Sequence, residues 1–187
     1  MPLPLNHFKM IRHGQTTANA DGKLSGITNV ELSDQGRQEA ASARDIFAAL
    51  EDKPSIIIHS KLTRAKHTAE IINEALNLDL IEHPEIHEQN FGDWENKGIG
   101  LYLESYVQRS TPKNGESFDE FDDRIRGALT DILNTHKNPL IVCHGGVFRS
   151  FHSLYKQGHF FVDNAMPYAF TPNATETDIP WDITPIR

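Results

Sequence analysis

The sequence has one cysteine in 187 residues, Cys143, so no disulfide can form within the chain. A chain of this length buries enough surface on folding to hold a core without disulfides or a structural metal. Long apolar runs are also missing, because the longest are strand-sized pieces such as residues 56–58 and 140–142, far short of a bilayer span. We therefore expect a soluble protein of a reducing compartment, with the cytoplasm as the default location.

Basic residues are in the minority. Lysine and arginine number 18 against 26 aspartates and glutamates, which gives a formal net charge of −8 at pH 7. That overall field repels polyanions, so a nucleic-acid partner is not expected, although a small anion can still bind in a local basic pocket. Near the N-terminus, Asn6, His7 and Lys9 interrupt the apolar residues, and we expect neither a secretory signal nor a membrane partner.

Short apolar runs alternate along the chain with stripes of helical spacing. These patterns predict strands over 8–11, 55–58 and 140–143, and helices over 33–50, 62–76, 101–107, 117–132 and 147–155. Polar loops are predicted from the first strand to residue 29 and, after a short strand, as far as residue 100. The alternation predicts an α/β fold, a three-layer sandwich with a mostly parallel central sheet flanked by helices. We expect a single domain over 1–187, with a core of about 6–170 and a C-terminal tail over 171–187 that is extended from Ile179 to Arg187.

Three of the predicted strands lead into segments with cationic or histidine side chains: Arg12-His13-Gly14, then Arg64, then His144-Gly145-Gly146. Ligands of open parallel sheets bind outside the carboxyl ends of the strands, so we expect these segments to converge there. Glycines let backbone N–H groups approach a ligand, and helix N-termini favour anions. The chain lacks both the P-loop and the strand-linked GxGxxG pattern, which argues against a nucleotide cradle. The sequence therefore predicts a phosphate pocket.

Six motifs occur in a fixed order along the chain: MIRHGQTTAN at 10–19, LSDQG at 32–36, SKLTRAKHTA at 60–69, EQNFGDWE at 88–95, GES at 115–117 and VCHGG at 142–146. Together they resemble the signature of the histidine phosphatase superfamily, in its phosphoglycerate-mutase-like branch. Within that branch the sequence is most similar to the small broad-specificity phosphatases. The resemblance covers the chain from Lys9 to about Phe170 and implies that superfamily's fold.

The resemblance also implies the roles of individual residues. His13 would be the nucleophile that forms a phosphohistidine, and Glu88 would protonate the leaving oxygen. The implied catalytic residues are His13, Glu88, His144, Arg12 and Arg64, and the implied phosphate-binding residues are Arg12, Asn19, Arg64, His144 and Gly145. Two guanidinium groups and a second histidine offset the charge of a phosphate dianion, so that a neutral imidazole can approach it. Neither a metal nor another cofactor is implied.

Two assignments leave alternatives open. Glu85 and Glu95 lie in the same predicted loop as Glu88, so either is a rival for the proton donor. Ten histidines raise the question of a metal site, but Pro84 between His83 and His87 argues against the shared helix that would present both rings to one ion. The sequence also departs from the family pattern at two places. Asn96 stands where glycine is common, and Lys61 stands where proline is common.

The function most consistent with these residues is a metal-independent phosphatase that hydrolyses a small phosphorylated metabolite. The first alternative is a phosphoglycerate-type mutase, but the interval from Asp93 to Ser117 is too short for the basic insertion of those mutases. The second alternative is a phosphate-binding module without turnover, against which the complete catalytic set argues. The sequence leaves the natural substrate and the oligomeric state open, a dimer included.

Overall fold

The computed structural model describes residues 2–155, 161–173, 175 and 178–187, without the side chains of residues 105–107. Within these residues the strands are β1 (Phe8–Arg12), β2 (Ile56–Ser60), β3 (Leu80–His83), β4 (Pro139–Cys143), β5 (Pro167–Pro172) and β6 (Trp181–Pro185). The α-helices are α1 (Thr17–Ala20), α2 (Asp34–Ala49), α3 (Thr63–Leu76), α4 (Gly100–Gln108), α5 (Phe118–Thr135) and α6 (Gly145–Leu154). No helix among them is both long and apolar enough to cross a bilayer.

The strands form one sheet in the order β3-β2-β4-β1-β5-β6. Strands β3, β2, β4 and β1 are parallel to one another. Beyond β1, strand β5 pairs antiparallel with β1, and β6 pairs antiparallel with β5. The prediction of a mostly parallel sheet is therefore confirmed. All five residues of β4 are buried, as expected for a strand that helices cover on both faces.

Each face of the sheet packs against its own pair of helices. Met10 and Ile141 belong to one cluster, which includes α5 and α6. Their neighbours Ile11 and Val142 belong to the other cluster, which includes α2 and α3. Because side chains alternate between the faces of a strand, two continuous apolar runs supply both layers of core. This arrangement is the predicted three-layer sandwich.

Two of the predicted helices, α2 and α5, begin at serines whose side chains cap them. The Ser33 hydroxyl accepts a hydrogen bond from the N–H of Gly36 at the start of α2. Ser117 and Glu120 form a reciprocal capping box at the start of α5. A shorter box between Thr16 and Asn19 starts α1, within the segment where the sequence predicted only loop. Such caps satisfy backbone N–H groups that have no partner inside the helix.

Within the tail predicted over 171–187, residues 181–185 form an edge strand, β6, against β5. Trp181 holds the strand in place, since it is buried against Phe8 and Phe151 and its indole N–H donates to the carbonyl of Asn6. The prolines of this segment suggested a break in structure. Pro185 is compatible with a strand here because an edge strand has one row of N–H groups without ladder partners.

A close backbone contact joins the start of α2 to the segment after β1. A Cβ atom placed on Gly36 would lie 1.9 Å from the carbonyl oxygen of Gln15, and one on Gly14 would lie 2.3 Å from the carbonyl oxygen of Gly36. Both contacts are with backbone, which cannot move aside as a side chain can. Helix α2 therefore fixes the chain directly after His13.

We predict opposite effects for two alanine substitutions of helix glycines. Gly36→Ala should destabilise the fold by about 1–3 kcal/mol, the usual cost of overpacking. Gly127→Ala should stabilise it by up to about 1 kcal/mol, because that glycine is exposed in α5, has no atom near its added Cβ and gains helix propensity. Urea unfolding of the two variants and the wild type measures both effects. Equal free energies of unfolding for the two variants would contradict the packing argument.

Candidate active site

The carboxyl ends of the parallel strands bring the predicted site residues together. Strand β1 ends at Arg12, Arg64 lies in the first turn of α3 after β2, and β4 leads into His144, which precedes α6. One cavity at this edge is lined by six of the seven predicted site residues: Arg12, His13, Asn19, Arg64, Glu88 and Gly145. The seventh, His144, is fully buried beside it, with its ring centre 5.1 Å from that of His13.

His13 is held as one tautomer. Its Nδ1 lies 2.7 Å from the carbonyl oxygen of Gly14 and must donate to it, while its Nε2 lies 3.2 Å from Nε of Arg64 and must accept from that N–H. The lone pair is therefore on Nε2. Burial, assisted by the charges of Arg64 and Arg12, holds the pKa of His13 well below its usual value of 6.5. The imidazole is thus neutral at neutral pH, as a nitrogen nucleophile must be.

Arg64 is 1% exposed and its other N–H groups donate to backbone, Nη1 to the carbonyl of Thr28 at 3.0 Å and Nη2 to that of Gly26 at 2.7 Å. Burial lowers the pKa of Arg64 to about 10, so the group stays charged at neutral pH. Glu95 holds the same turn, because its carboxylate accepts from the backbone N–H groups of Ile27 and Thr28. Glu95 therefore supports Arg64 and does not line the cavity among the described residues.

Arg12 is oriented by a segment far away in sequence. Its Nη1 donates to the carbonyl of Val162 at 3.0 Å, its own carbonyl accepts from Ala165, and Asn164 donates to the carbonyl of His13. Burial lowers the pKa of Arg12. No local sequence pattern marks these partners, and the sequence analysis missed them. The segment over 162–165 thus fixes both residues at the end of β1.

His144 has a partner that the sequence analysis quoted in a motif but gave no role. Its Nε2 lies 2.8 Å from the hydroxyl of Ser60, the last residue of β2. Burial, with the charge of Arg64 second, holds the pKa of His144 well below its usual value. The preceding thiol, Cys143, is also buried, and burial raises its pKa far above the usual range.

Glu88 lies against the first turn of α6. Its Oε1 accepts from the N–H of Gln89 at 2.8 Å and its Oε2 accepts from the N–H of Gly146 at 3.0 Å. A Cβ on Gly146 would come within 2.0 Å of Oε1, so this carboxylate requires glycine there. Of the three glutamates considered for the proton donor, Glu88 is the one that lines the cavity among the described residues.

The remaining sequence assignments are also placed. Asn19 lines the cavity with its Oδ1 accepting from the backbone of Thr16, so its amide orientation is set by the cap of α1. His83 contacts Asp131, whereas Nδ1 of His87 bonds to the carbonyl of Glu88. In the described part of the chain no three His, Cys, Asp or Glu side chains converge as they would around a metal ion.

A known protein family matches most of this chain. The model of the histidine phosphatase superfamily (branch 1) matches residues 8–168. The chain belongs to the histidine phosphatase superfamily. The match spans every residue of the site just described.

Individual relatives are named as phosphatases. The chain is 34% identical over 144 residues to the uncharacterized phosphatase PhoE of Bacillus subtilis, covering 75% of this chain and 72% of that one. It is 31% identical over 150 residues to the adenosylcobalamin/alpha-ribazole phosphatase of Escherichia coli, covering 74% and 73%. The crystal structure of the alpha-ribazole phosphatase from Shigella flexneri superposes with a TM-score of 0.76 at 28% identity, covering 92% and 94%. These similarities support a phosphatase.

The departure from the superfamily pattern at Asn96 has a physical explanation. Asn96 adopts φ of +64°, the left-handed region that glycine enters freely and that asparagine tolerates better than other residues. Its N–H donates to the carbonyl of Leu24 at 2.8 Å. Asparagine therefore retains a backbone conformation suited to glycine, and the loop after Glu88 keeps its turn.

We predict that the two buried histidines make the fold sensitive to acid. Both have a lowered pKa in the folded state, so the unfolded chain takes up protons first as the pH falls below about 6.5. The stability that His13 and His144 contribute as neutral side chains above that pH is lost progressively as the pH falls below it. Each histidine contributes a slope of up to about 1.4 kcal/mol per pH unit. His13→Gln should flatten the dependence of the free energy of unfolding on pH, measured by urea titrations from pH 7 to 5; a variant curve parallel to wild type would rule this out.

Proposed function

We propose that the protein is a metal-independent phosphatase that hydrolyses small phosphomonoesters through a phosphohistidine at Nε2 of His13. The observation that carries this proposal is the neutral, buried His13 beside two arginines in one cavity. Two buried nitrogens at this site, Nε of Arg12 and Nδ1 of His144, have no hydrogen-bond partner among the described residues. Buried polar atoms are normally satisfied, and phosphoryl oxygens would satisfy both.

The first step transfers the phosphoryl group to the enzyme. Arg64 donates to the same Nε2 that attacks, so this N–H must turn to a phosphoryl oxygen before the lone pair can reach phosphorus. The N–P bond then forms as the ester P–O bond breaks, and the electron pair of that bond leaves with the alcohol oxygen. Arg12 and Arg64 stabilise the charge on the phosphoryl oxygens. Their charges do here what a divalent cation does in other phosphatases, so the proposal needs no metal.

Glu88 serves both steps. As a carboxylic acid it gives its proton to the leaving oxygen, so that an alcohol and not an alkoxide departs. As a carboxylate it then takes a proton from water, whose oxygen attacks phosphorus and breaks the N–P bond. Phosphate leaves, and His13 and Glu88 return to their starting protonation states. The cavity encloses about 150 Å³, which suits a small phosphorylated metabolite.

The phosphohistidine can be tested directly. With a substrate labelled at phosphorus and a quench within one turnover, we expect acid-labile, alkali-stable label on the wild type at His13, located by peptide mapping. His13→Ala should retain no label and lose hydrolysis of nitrophenyl phosphate. Label on another residue, or hydrolysis by His13→Ala at the wild-type rate, would contradict the assignment. Isomerised ester with little free phosphate among the products would indicate the mutase.

The role of Glu88 predicts a dependence on the leaving group. Glu88→Gln should slow hydrolysis of alkyl phosphates by about 10²- to 10⁴-fold, the usual contribution of a general acid. Nitrophenolate leaves without a proton, so nitrophenyl phosphate should lose less than about tenfold. Steady-state kinetics on both substrates measures the difference. Equal losses would show that Glu88 is not the acid.

A further inference from the structure

The loop that carries Glu88 turns three of its carbonyl groups toward one arginine on a different element. Arg124, in α5, donates from Nη1 to the carbonyls of Glu85 at 2.5 Å and His87 at 3.1 Å. Its Nη2 donates to the carbonyl of Glu88 itself at 3.3 Å. A single guanidinium therefore holds the backbone on both sides of the proposed acid.

Arg124 is in turn held from two sides. Glu116 binds it in a bidentate pair, with Nε to Oε1 and Nη2 to Oε2 both at 2.8 Å, and the two side chains are 14% and 15% exposed. The guanidinium also lies 4.9 Å from the ring centre of Phe121, a fully buried core residue. Bidentate pairing fixes the plane of a guanidinium as well as its distance. Rotation of Arg124 would break several bonds at once.

Glu116 also binds the far side of the same loop. Its backbone N–H donates to the carbonyl of Asn90 at 2.8 Å, and its own carbonyl accepts from the side chain of Gln89 at 2.9 Å. The pair formed by Arg124 and Glu116 is thus hydrogen-bonded to the loop over residues 85–90, both before and after Glu88. Neither residue lines the catalytic cavity within the described part of the chain, so neither is placed to touch the reacting group.

We infer that Arg124, locked by Glu116, is a positioning residue that sets Glu88 for proton transfer to the leaving oxygen. The inference rests on the proposed acid role of Glu88. The carboxylate is fixed at its outer end by Gly146 in α6 and at its backbone by Arg124 in α5, so the packing of two helices determines where the proton is delivered. A displacement of about 1 Å at a reacting group can slow catalysis about 10²-fold.

The test compares substrates that need a proton donor with one that does not. Arg124→Lys keeps the charge but loses the planar fork that spans three carbonyls and a carboxylate. We expect its kcat on alkyl phosphates to fall about 10²-fold and its kcat on nitrophenyl phosphate to fall by less than about threefold. Glu116→Gln weakens the pair that holds Arg124. We expect it too to lower kcat more on alkyl phosphates than on nitrophenyl phosphate, by a smaller factor than Arg124→Lys.

The matched control is Arg126→Lys. Arg126 lies in the same helix and pairs with Asp123 across an exposed surface, so this variant should leave both rates unchanged. Urea unfolding confirms that each variant is folded at the assay temperature, and if Arg124→Lys is not, Glu116→Gln carries the test. In the double variant of Glu88→Gln and Arg124→Lys, the alkyl phosphate rate should match that of Glu88→Gln alone, because residues acting as a unit are not additive.

Glu88→Gln, assayed beside these variants, separates the two proposals. Suppose that Glu88→Gln slows hydrolysis of alkyl phosphates far more than hydrolysis of nitrophenyl phosphate. If the folded Arg124 and Glu116 variants then slow both substrates equally, or slow neither, the positioning role is refuted and the acid role stands. If Glu88→Gln slows both substrates equally, the acid role fails and the positioning role fails with it. Additive losses in the double variant would also overturn the inference.

Discussion

The burial of Arg64 is the constraint on which the rest of the site depends. Its N–H groups bond to two backbone carbonyls and to the nitrogen of His13, all of them neutral acceptors that satisfy hydrogen bonds without cancelling the charge. The positive charge is therefore kept close to His13, the proposed nucleophile. After burial, this charge is the second cause that lowers the pKa of His13 and of His144. In the proposed mechanism it would also attract a phosphate dianion to the neutral imidazole of His13.

A charge held in this way needs a rigid frame, and the frame comes from segments that carry no catalytic group. Glu95 fixes the turn that binds Arg64, and the segment over 162–165 fixes Arg12 and His13. Helix α5 fixes the loop of Glu88 through Arg124. Each support joins parts of the chain that are far apart in sequence, so the site exists only in the complete three-layer fold.

This division explains what the sequence could predict. The apolar runs and caps are local signals, and they located the parallel strands, the long helices and the residues at the strand ends. The resemblance then assigned roles to His13 and Glu88. The roles of Ser60, Val162 and Arg124 could not be predicted in this way, because a hydrogen bond between residues far apart in sequence leaves no periodic pattern. Strand β6 was missed because its partner β5 and the pocket for Trp181 exist only after folding.

The buried thiol of Cys143 lies next in sequence to His144, yet the proposed chemistry gives it no role. Burial raises its pKa so far that thiolate is not formed at neutral pH, and thiolate is the form that reacts with alkylating agents and peroxide. The proposed reaction therefore has no step that depends on a thiol, unlike the reaction of phosphatases built on a cysteine nucleophile. An imidazole nucleophile, as proposed for His13, would thus separate phosphoryl transfer from the redox state of the surroundings.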